Sequence, residues 1–125
     1  MTLEEKEQAL ETISIINEFL ANSNCDDFMI NYYNGERLCL IGSFNLCYYS
    51  EIEILFEQVS YISMYTYFGL WDKKEPFKIK FGTNDMDSNL EIQIGEDMEG
   101  KIHEIWCNSL RVHIGVQGLK ESVFS

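Results

Sequence analysis

Residues 28–42, FMINYYNGERLCLIG, place two runs of β-prone residues on either side of Asn34-Gly35. Asn-Gly readily accepts the positive φ angles of a type I′ turn, so the stretch predicts a β-hairpin. The period of two recurs downstream. Glu51, Glu53 and Glu57 alternate with Ile52, Ile54 and Phe56, and in FKIKF (77–81) Lys78 and Lys80 alternate with Phe77, Ile79 and Phe81. Leu90, Ile92 and Ile94, then Val112, Ile114 and Val116, repeat the pattern, and KIHEIWC (101–107) reads as a further strand. Such alternation gives each strand one wet and one buried face, as in antiparallel sheets.

Upstream of the hairpin the period becomes helical. Thr2 and Glu5 fit a capping box, and Leu10, Ile13 and Ile16, with Phe19 and Leu20, recur on one face of a helix over about 2–21. ANSNCDD (21–27) then ends it with turn formers. The expected fold class is α+β: an N-terminal helix packed on a mostly antiparallel sheet or small sandwich of about seven or eight strands. The β-rich part spans about 28–118, and the 125 residues form a single domain.

The 21 acidic and 9 basic residues give a formal charge of −12. Residues 1–60 hold 11 acids and 2 bases, a net −9, and residues 61–125 hold 10 acids and 7 bases, a net −3. So few cations cannot neutralise a run of phosphates, which argues against nucleic acid and anionic membrane as partners. The opening MTLEEKEQAL lacks the basic start and apolar run of an export signal, and no stretch reaches the ~20 apolar residues of a membrane span, so a cytoplasmic, bacterial-type protein is expected. Cys25, Cys39, Cys47 and Cys107 form no CxxC pair and read as reduced core residues.

Three constellations invite a chemical reading. NDMDSNLEIQIGE (84–96) approaches a calcium loop, but counting from Asp85 puts Leu90 where an EF-hand needs glycine, and strands replace the flanking helices. It reads as a polar hairpin loop, with Asp85, Asp87 and Glu96 left as candidates for a looser metal site. His103 and Cys107 share one face of their strand, with His113 on a neighbouring strand, which suits either a small enzyme or ligand pocket or a buried cysteine beside a surface histidine. No glycine-rich elbow, HExxH or P-loop accompanies them, and no cofactor is expected.

The third is YISMYTYFGLW (61–71). As one strand it would put Tyr61, Ser63, Tyr65 and Tyr67 on one face and Ile62, Met64, Thr66 and Phe68 on the other, with Trp71 beyond Gly69. Tyrosine and tryptophan are enriched at interface hot spots. With Glu51, Glu53 and Glu57 as an acidic ridge, the expected face steers a basic protein partner by charge and anchors it by Tyr61, Tyr65, Tyr67 and Trp71. Self-association through the same row is the other use of such a face.

In size, acidity and the run EIEILFEQVSYI (51–62), the chain resembles the small acidic immunity proteins that bacteria encode beside polymorphic or contact-dependent toxins. The resemblance implies a non-catalytic inhibitor that covers the active site of a basic cognate toxin, often a nuclease, by surface complementarity.

Overall fold

The structure, a computed structural model, describes residues 1–82, 89–118 and 122–124. Helix α1 (Leu3–Ala21) starts where the capping box forms, with Thr2 Oγ1 accepting the Glu5 N–H at 3.1 Å and Glu5 Oε1 accepting the Thr2 N–H at 3.2 Å. Nine strands follow among the described residues: β1 (Asp27–Tyr33), β2 (Leu38–Ser43), β3 (Tyr49–Glu57), β4 (Tyr61–Ser63), β5 (Tyr67–Gly69), β6 (Phe77–Phe81), β7 (Leu90–Ile94), β8 (His103–Cys107) and β9 (Ser109–Gly118). They form two antiparallel sheets, ordered β5-β1-β2-β3-β9 and β4-β8-β7-β6. The α+β architecture expected from the alternation is therefore present.

One buried cluster joins the helix to both sheets. Ile13, Ile16 and Leu20 of α1 meet Phe28, Leu40 and Ile54 of the five-stranded sheet and Phe77, Ile92 and Ile105 of the four-stranded one. Asn17 pins the helix to β6 by donating to the Phe77 carbonyl at 2.9 Å and accepting its N–H at 3.0 Å. Gly42 lets the centre close: a β-carbon there would lie 2.7 Å from Phe28 Cε1 and 2.9 Å from Ile52 Cγ2.

Several expectations are corrected. The helical stripe runs through Ala9, Ile13, Ile16 and Leu20, and Leu10 is exposed, because a spacing of four then three sets the face one residue earlier. The β1–β2 hairpin is present, but the type I′ turn is not. Gly35 alone takes a positive φ of 92°, and the Asn34 carboxamide oxygen accepts from Glu36 N–H at 3.0 Å and Arg37 N–H at 2.7 Å, closing a four-residue loop.

The largest correction concerns the wet faces. β2 is buried at every position and β3 from Ile52 to Phe56, because the centre of the five-stranded sheet is covered on both sides. Its outer face carries a second cluster of Cys39, Ile41 and Leu55, flanked by Met29, Tyr32, Leu46 and Phe124. Residues 122–124 lie across it, with the Phe124 carbonyl accepting from the Tyr32 hydroxyl at 3.1 Å and the Phe124 ring 5.3 Å from the Arg111 guanidinium.

Candidate functional site

The segment from Tyr61 to Trp71 is not a single strand. β4 pairs with β8 in one sheet, β5 pairs with β1 in the other, and Met64–Thr66 passes between them, with the Thr66 carbonyl accepting the Ile30 N–H at 2.8 Å. The strict alternation across 61–68 is thereby interrupted, and Thr66 is exposed rather than buried. Inward anchoring comes from Phe68 and Leu70, which are buried, and from Ile62 and Met64, which pack half-buried against the core. The large aromatic side chains point outward all the same: Tyr61 is 42% exposed, Tyr65 46%, Tyr67 55% and Trp71 78%.

A buried polar pair fixes this segment from behind. His103 is fully buried, and its Nε2 lies 2.9 Å from Asp97 Oδ2. The Tyr65 N–H donates to His103 Nδ1 at 3.2 Å, so Nδ1 is the acceptor and the ring proton sits on Nε2, facing the carboxylate. Asp97 Oδ1 accepts from the N–H groups of Glu99 at 2.8 Å and Lys101 at 3.0 Å. Burial pulls the Asp97 pKa upward, but the hydrogen bonds from Lys101, His103 and Glu99 outweigh it and hold the carboxyl below its ordinary range. Burial pushes His103 in the opposite direction from its carboxylate partner, and its pKa lies below the usual histidine value. The ring also stacks on Phe68 at 3.9 Å and meets Tyr65 edge-on at 5.4 Å. His103 is thus held neutral between two residues of the aromatic segment.

The turn carrying Asp97 runs alongside the same segment. Met98 N–H donates to the Gly69 carbonyl at 2.9 Å, Leu70 bridges Asp97, and Trp71 N–H donates to the Glu96 carbonyl at 3.4 Å. Leu70 and Asp97 point in; Trp71, Glu96 and Met98 face out. The exposed surface is therefore built from both sheets: Tyr61 against Trp106 with ring centroids 4.5 Å apart, then Tyr65, Tyr67 and Trp71 with Met98 among them.

The glutamates behave differently. Glu53 is 2% exposed, so it does not stand on a wet face; Ser122 Oγ donates to it at 2.8 Å and Val123 N–H at 3.2 Å. Glu57 is paired with Arg111 at 3.1 Å and more loosely with Arg37 at 3.9 Å. Glu51 is half-buried and accepts the Phe44 N–H at 2.7 Å, closing the β2–β3 connection. The three do not form a free acidic ridge, because the segment at 122–124 and two arginines occupy that face.

The His/Cys constellation is likewise redistributed. His103 and Cys107 do share the inward face of β8, but the histidine is buried with its cysteine, not at the surface. His113 lies on β9 in the other sheet, across from Glu53. Burial raises the Cys107 thiol to about 12, and Cys25 and Cys39 are pushed to about 12 by burial and then by the charges of Glu51 and Glu53 respectively. Neutral thiols of this kind are poor nucleophiles. Cys47 is exposed, in the β2–β3 loop, and is not a core residue. Of the metal candidates, Glu96 is exposed beside Trp71, whereas Asp85 and Asp87 lie outside the described residues. Among the described residues no group of three or more His, Cys, Asp or Glu side chains is arranged to hold a metal ion, and no helix is long and apolar enough to cross a membrane.

No protein-family model, curated protein or solved structure matches this chain. The site's reading rests on its own geometry. Asp97, the residue that organises it, was not singled out from sequence, although Asp97 three residues before Gly100 in DMEG carries the signature of a side-chain-capped turn.

Proposed function

We propose that this is a non-catalytic, cytoplasmic protein-binding domain of the bacterial immunity type, which masks a basic partner such as a cognate toxin. The observation that carries the reading is the outward display of Tyr61, Tyr65, Tyr67 and Trp71 on one segment while Ile62, Met64, Phe68 and Leu70 bind the core. Amphipathic rings at this exposure cost little entropy to immobilise and bury large areas on contact, which is why they recur as interface anchors. The formal charge of −12 supplies long-range attraction for a cationic protein. Steering is assigned to this overall field, to which Glu51 and Glu57 contribute, whereas the Glu53 carboxylate is covered.

The test is capture from host lysate on the tagged protein, at low and high salt, in parallel with a variant carrying Tyr61→Ala and Trp71→Ala. Retention of one stoichiometric basic protein by the parent chain, weakened by salt and lost in the variant, is the expected result. Equal retention by both proteins would remove the aromatic segment from the contact, and light scattering that showed stable dimers lost in the variant would favour self-association instead.

A further inference from the structure

A cleft of about 260 Å³ is lined by Tyr65, Tyr67, Gly69, Met98, Glu99 and Asp27, with Phe68 among them. Among the described residues its lining includes no lysine or arginine. Asp97 forms part of the wall, but three hydrogen bonds already engage its carboxylate. Asp27 and Glu99 therefore supply the outward negative charge. Burial, and next the charge of Asp26, raise the Asp27 pKa above its usual value, against a side-chain hydrogen bond from Tyr67 that lowers it.

Two further details define the shape. A β-carbon on Gly69 would lie 3.2 Å from Asp27 Oδ1 and 3.3 Å from Met98 Cε, so a side chain here would push both back by a few tenths of an ångström. Lys101 Nζ sits 5.2 Å from the Tyr65 ring centroid, tied to Ser63 Oγ at 3.2 Å, and shows that this ring already presents itself to a cation.

We propose that the cleft receives an arginine side chain of the partner, its guanidinium against the rings of Tyr65 and Tyr67 and its N–H groups directed to Asp27 and Glu99. As the occupant's source, this rests on the partner-binding reading above; the cleft's affinity for the side chain is a separate property. Arginine suits it better than lysine because a planar, weakly hydrated cation stacks on aromatic faces and offers several donors to two carboxylates. The volume lies below the ~300 Å³ at which ordinary small-molecule pockets begin.

N-acetyl-arginine amide is the probe, titrated against the full chain while NMR follows the Met98 methyl and the rings of Tyr65 and Tyr67, with N-acetyl-citrulline amide as its neutral near-isostere. Saturable shifts at these three residues, about tenfold weaker for citrulline, are expected from one cation–aromatic contact with charge-assisted hydrogen bonds. Asp27→Asn combined with Glu99→Gln should weaken arginine binding by a similar factor, and Gly69→Ala, which keeps both charges but adds a β-carbon to the lining, should weaken it as well. Equal binding of citrulline, shifts that never saturate, or unchanged affinity in the charge variant would overturn the proposal. A basic partner bound equally by parent and charge variant, with no arginine binding, would leave the docking reading standing without this cleft. Saturable arginine binding with no basic partner retained would do the reverse.

Discussion

Glu53 and Tyr67 stand on the same five-stranded sheet, and the alternation of the sequence assigns both to an outward face. The structure seals the first at 2% exposure and leaves the second open at 55%. The difference lies in what covers each region. Over β2 and β3 the outer face meets a second apolar cluster and residues 122–124, and Glu53 becomes the internal acceptor that holds that segment. Over β5, at the sheet's edge, the neighbouring turn contributes Met98 and Glu99 beside the rings and leaves them open. Strand periodicity specifies a side, whereas exposure depends on distant segments that periodicity does not describe.

The heaviest loss of stability is expected beneath the open region. Asp97→Ala removes the acceptor for His103 and for two backbone N–H groups at once, and should cost about 3–5 kcal/mol, measured by urea unfolding. A loss under ~1 kcal/mol would mean that the buried pair does not hold the aromatic segment. On the sealed side, Glu53→Ala leaves the donors at Ser122 and Val123 without this acceptor and should cost about 1–3 kcal/mol. If Glu53 were instead a surface charge, the cost would stay within ~0.5 kcal/mol.

A pH profile sharpens the same contrast. The folded pKa of His103 is below its ordinary 6.5, so the unfolded chain binds the proton more readily and stability should be full above pH 6.5 and decline as the pH falls towards the folded value. The Asp97 carboxyl, also lowered, is ordinarily at 3.8, and its contribution is present above that value and lost as the pH drops through the folded pKa. Urea midpoints that stay level from pH 7 to pH 5 would contradict the first part. The smallest effect is expected at the open surface itself: Trp71→Ala, which deletes a ring 78% exposed, should change stability by no more than ~0.5 kcal/mol. A larger loss in urea unfolding would show that the ring is structural.

Much of the architecture was legible because local physics fixes it. Thr2 and Glu5 announce the helix start, and strict alternation in 77–81 and 90–94 marks the β6–β7 pair, whose register joins Phe77 to Ile94 and Phe81 to Leu90. The break between β4 and β5 was not legible, since Tyr61 to Phe68 alternates without a proline or glycine to mark the crossing. Nor was the cover over Glu53, which comes from residues 69 and 70 positions further along the chain. The aromatic side chains stay outward across the break because Ile62, Met64, Phe68 and Leu70, which face the core, lie between them. The cleft beside them joins Asp27, Tyr67 and Glu99 from three separate regions, a proximity that local patterns do not encode.

The proposed contact surface is the aromatic segment and not the β3 glutamates. It is tested most directly by comparing partner capture by two variants at low salt, one with Tyr61→Ala and Trp71→Ala, the other with Glu51→Gln and Glu57→Gln. The first is expected to lose the partner, by about tenfold or more in affinity for hot-spot rings, while the second keeps it with slower association. Loss in the glutamate variant with full retention in the aromatic one would contradict it.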